Sequence, residues 1–264
     1  MDISLDIGPF WELRSGPGPL IGVALHAGHN LRSEIVPLVA MDEETRFREE
    51  DPYSDYWTLV CGTQILTLRS RFEVDLNRRR DEAVYKLPED AWGLHVWKKP
   101  LTDEVIQASL AEHDRFYKMI ESELQKFEER YGRFVVLDFH SYNQRRGGPD
   151  APAADPTTHP EINVGTGSMD RDYWAGVVDG FMNSIRGFNF FGRNLDIREN
   201  INFRGRYLAE FVHRRFPQTG CVLAIEVRKF FMDEWTGLAH TREVSALREA
   251  FRIGAAGILR EIED

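Results

Sequence analysis

The chain has 264 residues, of which 42% are hydrophobic and 29% charged, a composition that suits a globular protein with a sizeable core and excludes global disorder. Its 43 acidic and 33 basic residues give a formal net charge of -10, which argues against a general nucleic-acid binder. The two cysteines, Cys61 and Cys221, form no cluster, so buried free thiols are expected rather than disulfides or a thiolate metal site.

The N-terminal residues 1–6 are acidic and lack the basic and apolar regions of a signal peptide. No apolar stretch approaches the ~20 residues of a membrane span. The expectation is therefore a cytoplasmic protein that binds neither membrane nor nucleic acid. The sequence does not indicate an oligomeric state.

The first half of the chain alternates apolar runs with helical patterns. Residues 20–25 are apolar and predict a central strand that ends at His26. Residues 56–68 predict a short helix and the next strand, and the alternation of residues 72–76 predicts a half-buried strand before Asn77 and Arg78. Residues 102–130 carry an apolar stripe at helical spacing, with Gly132 at the end, and predict a long helix.

The second half continues the alternation. Residues 135–140 predict a buried strand, residues 143–160 a long loop, and residues 170–188 and 207–216 two helices. Residues 221–227 predict another buried strand, and residues 241–263 a closing amphipathic helix. Strands that alternate with helices favour a mostly parallel sheet covered on both faces. We therefore expect one α/β domain of three layers over residues 1–264.

Two histidines lie where predicted strands end, and ligands bind at the carboxyl ends of strands in open α/β sheets. His26 follows the first strand and His140 follows the strand at 135–139. Asp138 is on the same strand face as His140 and could fix its tautomer. The two imidazoles could bind a metal ion, although a buried structural role for His140 explains the pattern equally well.

A catalytic zinc usually has three protein ligands, so an oxygen ligand would have to complete the set. Asp51, in an acidic segment, is the best candidate, and Asp55, Glu34 and His29 are the others. This acidic segment could also be only a solvated loop.

Glu226 is a carboxylate inside an apolar strand, where burial is costly without a partner. It could act as a general base toward a metal-activated water. The alternative is a buried ion pair with Arg228, which is on the same strand face.

Asn77 and Arg78 directly follow the predicted strand at 72–76. An amide beside a planar guanidinium would suit a substrate carboxylate. The alternative is a basic surface cluster within the arginine-rich segment 69–80.

Taken together, these motifs resemble those of the N-formylglutamate amidohydrolase family, in unbroken order from about residue 20 to about residue 235. The matching segments are His26-Ala27-Gly28, Asp51-Pro52-Tyr53-Ser54-Asp55, Ser70-Arg71, Asp75-Leu76-Asn77-Arg78, Asp138-Phe139-His140-Ser141, Glu161-Ile162-Asn163-Val164-Gly165-Thr166, the stretch 200–207 and Ile225-Glu226-Val227-Arg228. The chain departs from the family pattern at Asn202, Arg206 and the additional His29.

The resemblance implies a zinc-carboxypeptidase-like fold with a mixed central sheet, and one zinc ion held by His26, Asp51 and His140. It further implies Glu226 as the catalytic base and Asn77 with Arg78, helped by Arg71 or Arg204, as the carboxylate clamp. The implied reaction is hydrolysis of an N-acyl amino acid such as N-formylglutamate. A carboxypeptidase, a deacylase for longer acyl groups and an inactive anion-binding relative remain as alternatives.

Overall fold

The middle layer of the fold is one seven-stranded sheet. The computed structural model describes residues 10–262, so the interpretation of residues 1–6 and the predicted helical residue Glu263 lie outside the described residues. The strands are β1 (Trp11–Arg14), β2 (Leu20–Ala24), β3 (Thr63–Thr67), β4 (Phe134–Tyr142), β5 (Ile162–Gly165), β6 (Ile197–Glu199) and β7 (Gly220–Arg228). Their order across the sheet is β1-β3-β2-β4-β7-β5-β6.

The sheet is mixed and mostly parallel, which confirms the predicted α/β class. Strands β3, β2, β4 and β7 run parallel to their neighbours in the centre. The pairs β1–β3 and β5–β7 are antiparallel, and β5–β6 is parallel. The long apolar runs of β4 and β7 are buried on both faces, as strands between two helical layers must be.

Helices cover both faces of the sheet. They are α1 (Glu43–Glu49), α2 (Ser54–Trp57), α3 (Asp103–Tyr131), α4 (Ala175–Arg186), α5 (Tyr207–Arg215) and α6 (Thr241–Ile262). Alternate residues of β4 point to opposite faces: Val136 packs with the side chains of α3 and α5, whereas Leu137 packs with those of α2, α4 and α6. The period-two alternation of strand side chains thus produces two separate cores.

Most predicted elements are confirmed, with shifted ends. The long helix spans Asp103–Tyr131 and is followed by Gly132, whose φ is 72°. The helix predicted from residue 170 begins only at Ala175. Residues 143–160 form a loop without helix or strand. Both cysteines are free and buried. Within residues 10–262, no helix combines the length and the hydropathy that a membrane crossing requires.

The strand predicted at residues 72–76 is wrong, because this segment forms turns. Its apolar residues are buried as the alternation suggested, but its acidic residues Glu73 and Asp75 are completely buried as well. Glu73 accepts hydrogen bonds from the Arg32 backbone (2.8 Å) and the Arg69 side chain (3.0 Å). Hydrogen bonds and ion pairs therefore provide partners for the buried carboxylates of a segment that alternation alone would assign to a sheet.

Candidate metal centre and active site

Three buried side chains from distant segments meet at the carboxyl ends of the central strands. His26 follows β2, His140 lies in β4, and Asp51 follows α1, where its backbone N–H donates to the carbonyl of His26 at 2.9 Å. Asp51 Oδ2 lies 3.2 Å from His26 Nδ1 and 3.0 Å from His140 Nδ1. One ligand atom from each residue lies within 4.8 Å of the others. The spatial convergence expected from the sequence is therefore present.

The second nitrogen of each imidazole faces another buried carboxylate. His26 Nε2 is 2.8 Å from Asp75 Oδ1, and His140 Nε2 is 3.0 Å from Asp138 Oδ1, with Asn77 Nδ2 at 3.1 Å. A proton on His26 Nε2 satisfies Asp75, whereas neither buried oxygen of Asp138 has a hydrogen-bond partner within residues 10–262. Carboxylates orient metal-bound histidines in the way that Asp75 orients His26.

Asp75 fixes the orientation of the His26 ring. Besides His26, it accepts hydrogen bonds from Arg71 Nη2 at 2.7 Å and from the Tyr85 hydroxyl at 2.5 Å. The backbone N–H of Asn77 donates to the same carboxylate at 2.9 Å. Since four donors converge on one carboxylate, the orientation of the His26 ring is set before any ligand binds.

The protonation states follow from burial and from these neighbours. Burial alone would raise the pKa of Asp51, but the hydrogen bonds from His140 and His26 outweigh burial and lower the pKa. Burial opposes a charge on His140, whereas the nearby Asp138 carboxylate raises its pKa well above the usual range. An ionised Asp51 is thus the stable form at neutral pH.

The donor set fits a zinc ion. Two imidazole nitrogens and one carboxylate oxygen, which lie within 4.8 Å of one another, would supply three of the four ligands that Zn²⁺ takes in a catalytic site. Asp51 Oδ2 lies 3.2 Å from His26 Nδ1 and 3.0 Å from His140 Nδ1, and each nitrogen donates to it when protonated there. A bound zinc ion would take the place of these protons.

The other candidate ligands lie elsewhere. His29 Nδ1 is 2.6 Å from Glu50 Oε2, and Arg46 lies against the other ring nitrogen at 3.2 Å. Asp55 and Glu34 are exposed. The geometry thus favours Asp51 as the third ligand among the four candidates.

Glu226 lies beside this cluster on the neighbouring strand. It is paired in register with His140 across β4 and β7 and borders the same cavity. Burial raises its pKa to about 7, although the charge of His140 lowers it. Arg228 Nη1 donates instead to the carbonyl of His159 at 2.8 Å, and no ion pair joins Arg228 to Glu226 within residues 10–262.

The cavity at this site, here called the reaction cavity, has a volume of about 70 Å³ and is bordered by His26, Asp51, His140 and Glu226. Cationic and aromatic side chains complete its wall. They include Arg71, Arg146, Arg206, Lys229, Trp92 and Phe203, together with Asn77. The cavity wall thus combines the acidic residues of the candidate metal site with several cationic side chains.

Two of the predicted carboxylate-binding arginines, Arg78 and Arg204, are not among the residues that line this cavity. Arg78 Nη2 donates to the carbonyl of Asp90 at 2.6 Å, and its Nε lies 3.5 Å from Asp75. Arg204 is exposed, and its carbonyl accepts from Gly167 at 2.7 Å. For Arg78 the reason is the turn after Asp75, which directs consecutive side chains to different sides. Arg71 and Asn77 remain at the cavity.

Sequence reasoning missed several residues of the wall. Trp92 lies outside every motif, and Arg146 lies in the loop that follows Asp138-Phe139-His140-Ser141, so no motif includes either residue. Lys229 could have been noticed in the sequence, because a lysine directly after the apolar strand β7 is unusual. In the structure it is buried and donates to the carbonyl of Glu50 at 2.7 Å and to Asn143 Oδ1 at 2.9 Å. Lys229 therefore supports the segment that carries Asp51.

Comparison with solved structures supports the fold. An N-formylglutamate amidohydrolase from Ralstonia eutropha JMP134 superimposes with a TM-score of 0.73 at 16% sequence identity, covering 96% of this chain and 97% of that chain. A gene product from Agrobacterium tumefaciens gives a TM-score of 0.69 at 16% identity, with 97% of both chains covered. A metallo-carboxypeptidase from Burkholderia cenocepacia reaches only 0.36 at 11% identity, covering 95% of this chain and 61% of that chain, too weak a likeness to assign a fold.

Family comparison agrees with the motifs. No curated protein sequence matches the chain at a significant level. The model of the N-formylglutamate amidohydrolase family matches residues 18–232, a range that contains all the residues of the candidate centre. The predicted resemblance is confirmed: the chain belongs to the N-formylglutamate amidohydrolase family.

Proposed function

We propose that the protein is a zinc-dependent hydrolase that cleaves the amide bond of N-formyl amino acids such as N-formylglutamate. The observation that carries the proposal is the convergence of His26, Asp51 and His140 beside Glu226 in one cavity. Family membership supports the amidohydrolase chemistry. The metal and the substrate are our inference from the donor set and from the basic wall of the cavity.

Arg71 is the best-placed group to bind the substrate carboxylate. Its Nη2 is held by Asp75 at 2.7 Å and its Nε by the Tyr85 hydroxyl at 3.1 Å, so the guanidinium plane is fixed. Nη1 forms no hydrogen bond with any residue of the described range 10–262. A guanidinium that is oriented in advance loses little conformational entropy when it binds a carboxylate.

Glu226 is proposed to move the proton. Hydrolysis adds a water oxygen to the formyl carbon and breaks the C–N bond, so one water proton must reach the leaving nitrogen. The ionised Glu226 carboxylate takes that proton and returns it to the nitrogen, which releases formate and the free amino acid. A zinc ion held by the three ligands would polarise the carbonyl and lower the pKa of the attacking water.

The test is formate release from N-formylglutamate by protein stripped with a chelator and then reloaded. We expect activity to disappear with the metal and to return with about one zinc per chain. Asp51→Asn should prevent the return, whereas Asp55→Asn, which changes an exposed acid in the same segment, should restore it like the wild type. A panel with N-acetyl amino acids and short peptides separates this activity from a deacylase or carboxypeptidase.

Activity that survives complete removal of the metal would overturn the zinc proposal. Equal reactivation of the Asp51 and Asp55 variants would overturn the ligand assignment. Failure to hydrolyse any N-formyl amino acid after zinc loading would overturn the proposed reaction.

A further inference from the structure

A second and larger cavity adjoins the reaction cavity. This side cavity has a volume of about 290 Å³, against about 70 Å³ for the reaction cavity. The two share four wall residues, which are Tyr142, Asn143, Arg146 and Phe203. Shared walls of this extent make the two cavities neighbouring parts of one site.

In the proposed complex, the reaction cavity binds the two groups that every N-formyl amino acid carries. The formyl group would lie at the metal ligands and Glu226, and the carboxylate at Arg71, all of which line this cavity. The side chain of the amino acid is then the part that can extend into the adjoining side cavity.

The walls of the side cavity suit an aromatic group. The rings of Tyr142 and Phe203 are 5.1 Å apart with an interplanar angle of 51°, and the His159 ring lies 6.3 Å from Tyr142. Pro152 and Ala154 contribute further apolar surface from the loop. Aromatic pairs at centroid distances of about 4.5–7 Å are favourable beyond the area that they bury.

The charge of the side cavity is low. None of the described residues that line it carries a carboxylate, and Arg146 is its one arginine or lysine within residues 10–262. The Arg146 side chain is 54% exposed, and its Nη1 lies 3.6 Å from Glu49, which borders the reaction cavity. An uncharged side chain would enter without breaking that ion pair.

The loop that forms one wall is fixed in place. The buried Glu234 carboxylate accepts hydrogen bonds from the backbone of Gln144 at 2.8 Å and of Arg145 at 2.6 Å. The Ala154 N–H donates to the Gln144 carbonyl at 2.7 Å. The side cavity is therefore formed before a ligand arrives, as small-molecule sites usually are.

We propose that the side cavity is a specificity subsite that takes a large, uncharged aromatic side chain, so that N-formyl amino acids such as N-formylphenylalanine are preferred substrates. This inference rests on the proposed function and refines its substrate class. Ala154 is half-buried in the cavity wall, whereas Ala153 on the same loop is exposed and is not part of that wall. The two alanines thus offer a matched pair of substitutions.

The experiment compares kcat/KM for N-formylphenylalanine, N-formylalanine and N-formylglutamate. In the wild type we expect N-formylphenylalanine to exceed each of the others by about tenfold, since filling an apolar pocket is worth that much or more. Ala154→Trp should remove this preference, and Ala153→Trp should keep it. Asn202→Trp, which fills the cavity from a different segment, should remove it as Ala154→Trp does. Calorimetric binding of the same compounds to the metal-free protein should show the same order.

Two results would overturn the inference while leaving the proposed function intact. One is hydrolysis with N-formylglutamate or N-formylalanine preferred. The other is an unchanged preference in both cavity-filling variants. If no N-formyl amino acid is hydrolysed by the zinc-loaded protein, the proposed function and the subsite fail together.

Discussion

Replacing Glu226 with glutamine should change the pH dependence of stability as well as the activity. Burial raises the pKa of Glu226 from 4.5 to about 7 in the folded metal-free protein. A shift of this size corresponds to about 3 kcal/mol, since one pKa unit is worth ~1.4 kcal/mol. The pKa of Glu226 is higher in the folded state than in the unfolded state. Its contribution to the free energy of unfolding is therefore complete below pH ~4.5 and is lost as the pH rises through ~7.

Glutamine cannot ionise, so the Glu226→Gln protein escapes this loss. The free energy of unfolding of the variant, relative to the wild type, should rise by up to about 3 kcal/mol between pH ~4.5 and ~8.5. The assay is urea denaturation with a chelator present. Glu12→Gln is the control, because Glu12 is on β1 and its hydrogen bond with Arg14 lowers its pKa, so no such rise is expected.

The same variant tests catalysis. Turnover should fall about 10²–10⁴-fold, the usual contribution of a general base, while zinc binding is preserved because Glu226 is not a proposed ligand. A difference in unfolding free energy that stays constant over the pH range would refute the burial argument. Wild-type turnover in Glu226→Gln would refute the role of the base.

Four further substitutions test the supporting contacts. Asp138→Asn should weaken zinc binding about 10–100-fold in a chelator competition, since Asp138 orients His140; unchanged affinity would remove it from that role. Arg71→Lys should raise KM with little change in kcat, because a lysine cannot keep both the Asp75 bond and a planar carboxylate contact; a fall in kcat alone would contradict this. Lys229→Met should cost about 3 kcal/mol in urea denaturation, because buried oxygens of Glu50 and Asn143 lose their donor; a cost near zero would show that these oxygens find other partners. Glu234→Ala should speed proteolysis within residues 143–160, because two backbone donors lose their acceptor; an unchanged cleavage rate would show that the loop is held otherwise.

Much of the fold was predictable because apolar runs and helical periodicity report burial directly. The runs that became β2, β4 and β7 are buried along their whole length or nearly so. Residues 72–76 were not predictable in the same way. Their alternation is real, but the partners of Glu73 and Asp75 include Arg32 and His26, which come from other segments, and no local pattern shows them.

The candidate centre was also predictable only in part. His26 and His140 were predictable, because strand ends in an α/β sheet meet at one edge. Arg78 was predicted at the cavity from its place next to Asn77, but its direction depends on the turn after Asp75 and on the carbonyl of Asp90. Trp92, whose backbone is left-handed at φ 55°, reaches the cavity through a turn that no motif marks.

The central claim is that one zinc ion binds between His26, Asp51 and His140. The most direct measurement is anomalous diffraction at the zinc edge from crystals of protein purified without added metal, combined with metal analysis of the same sample. We expect a single strong peak within bonding distance of the Nδ1 atoms of both histidines and of the Asp51 carboxylate. An active sample that lacks zinc, or a peak at His29 and Glu50 instead, would contradict the account.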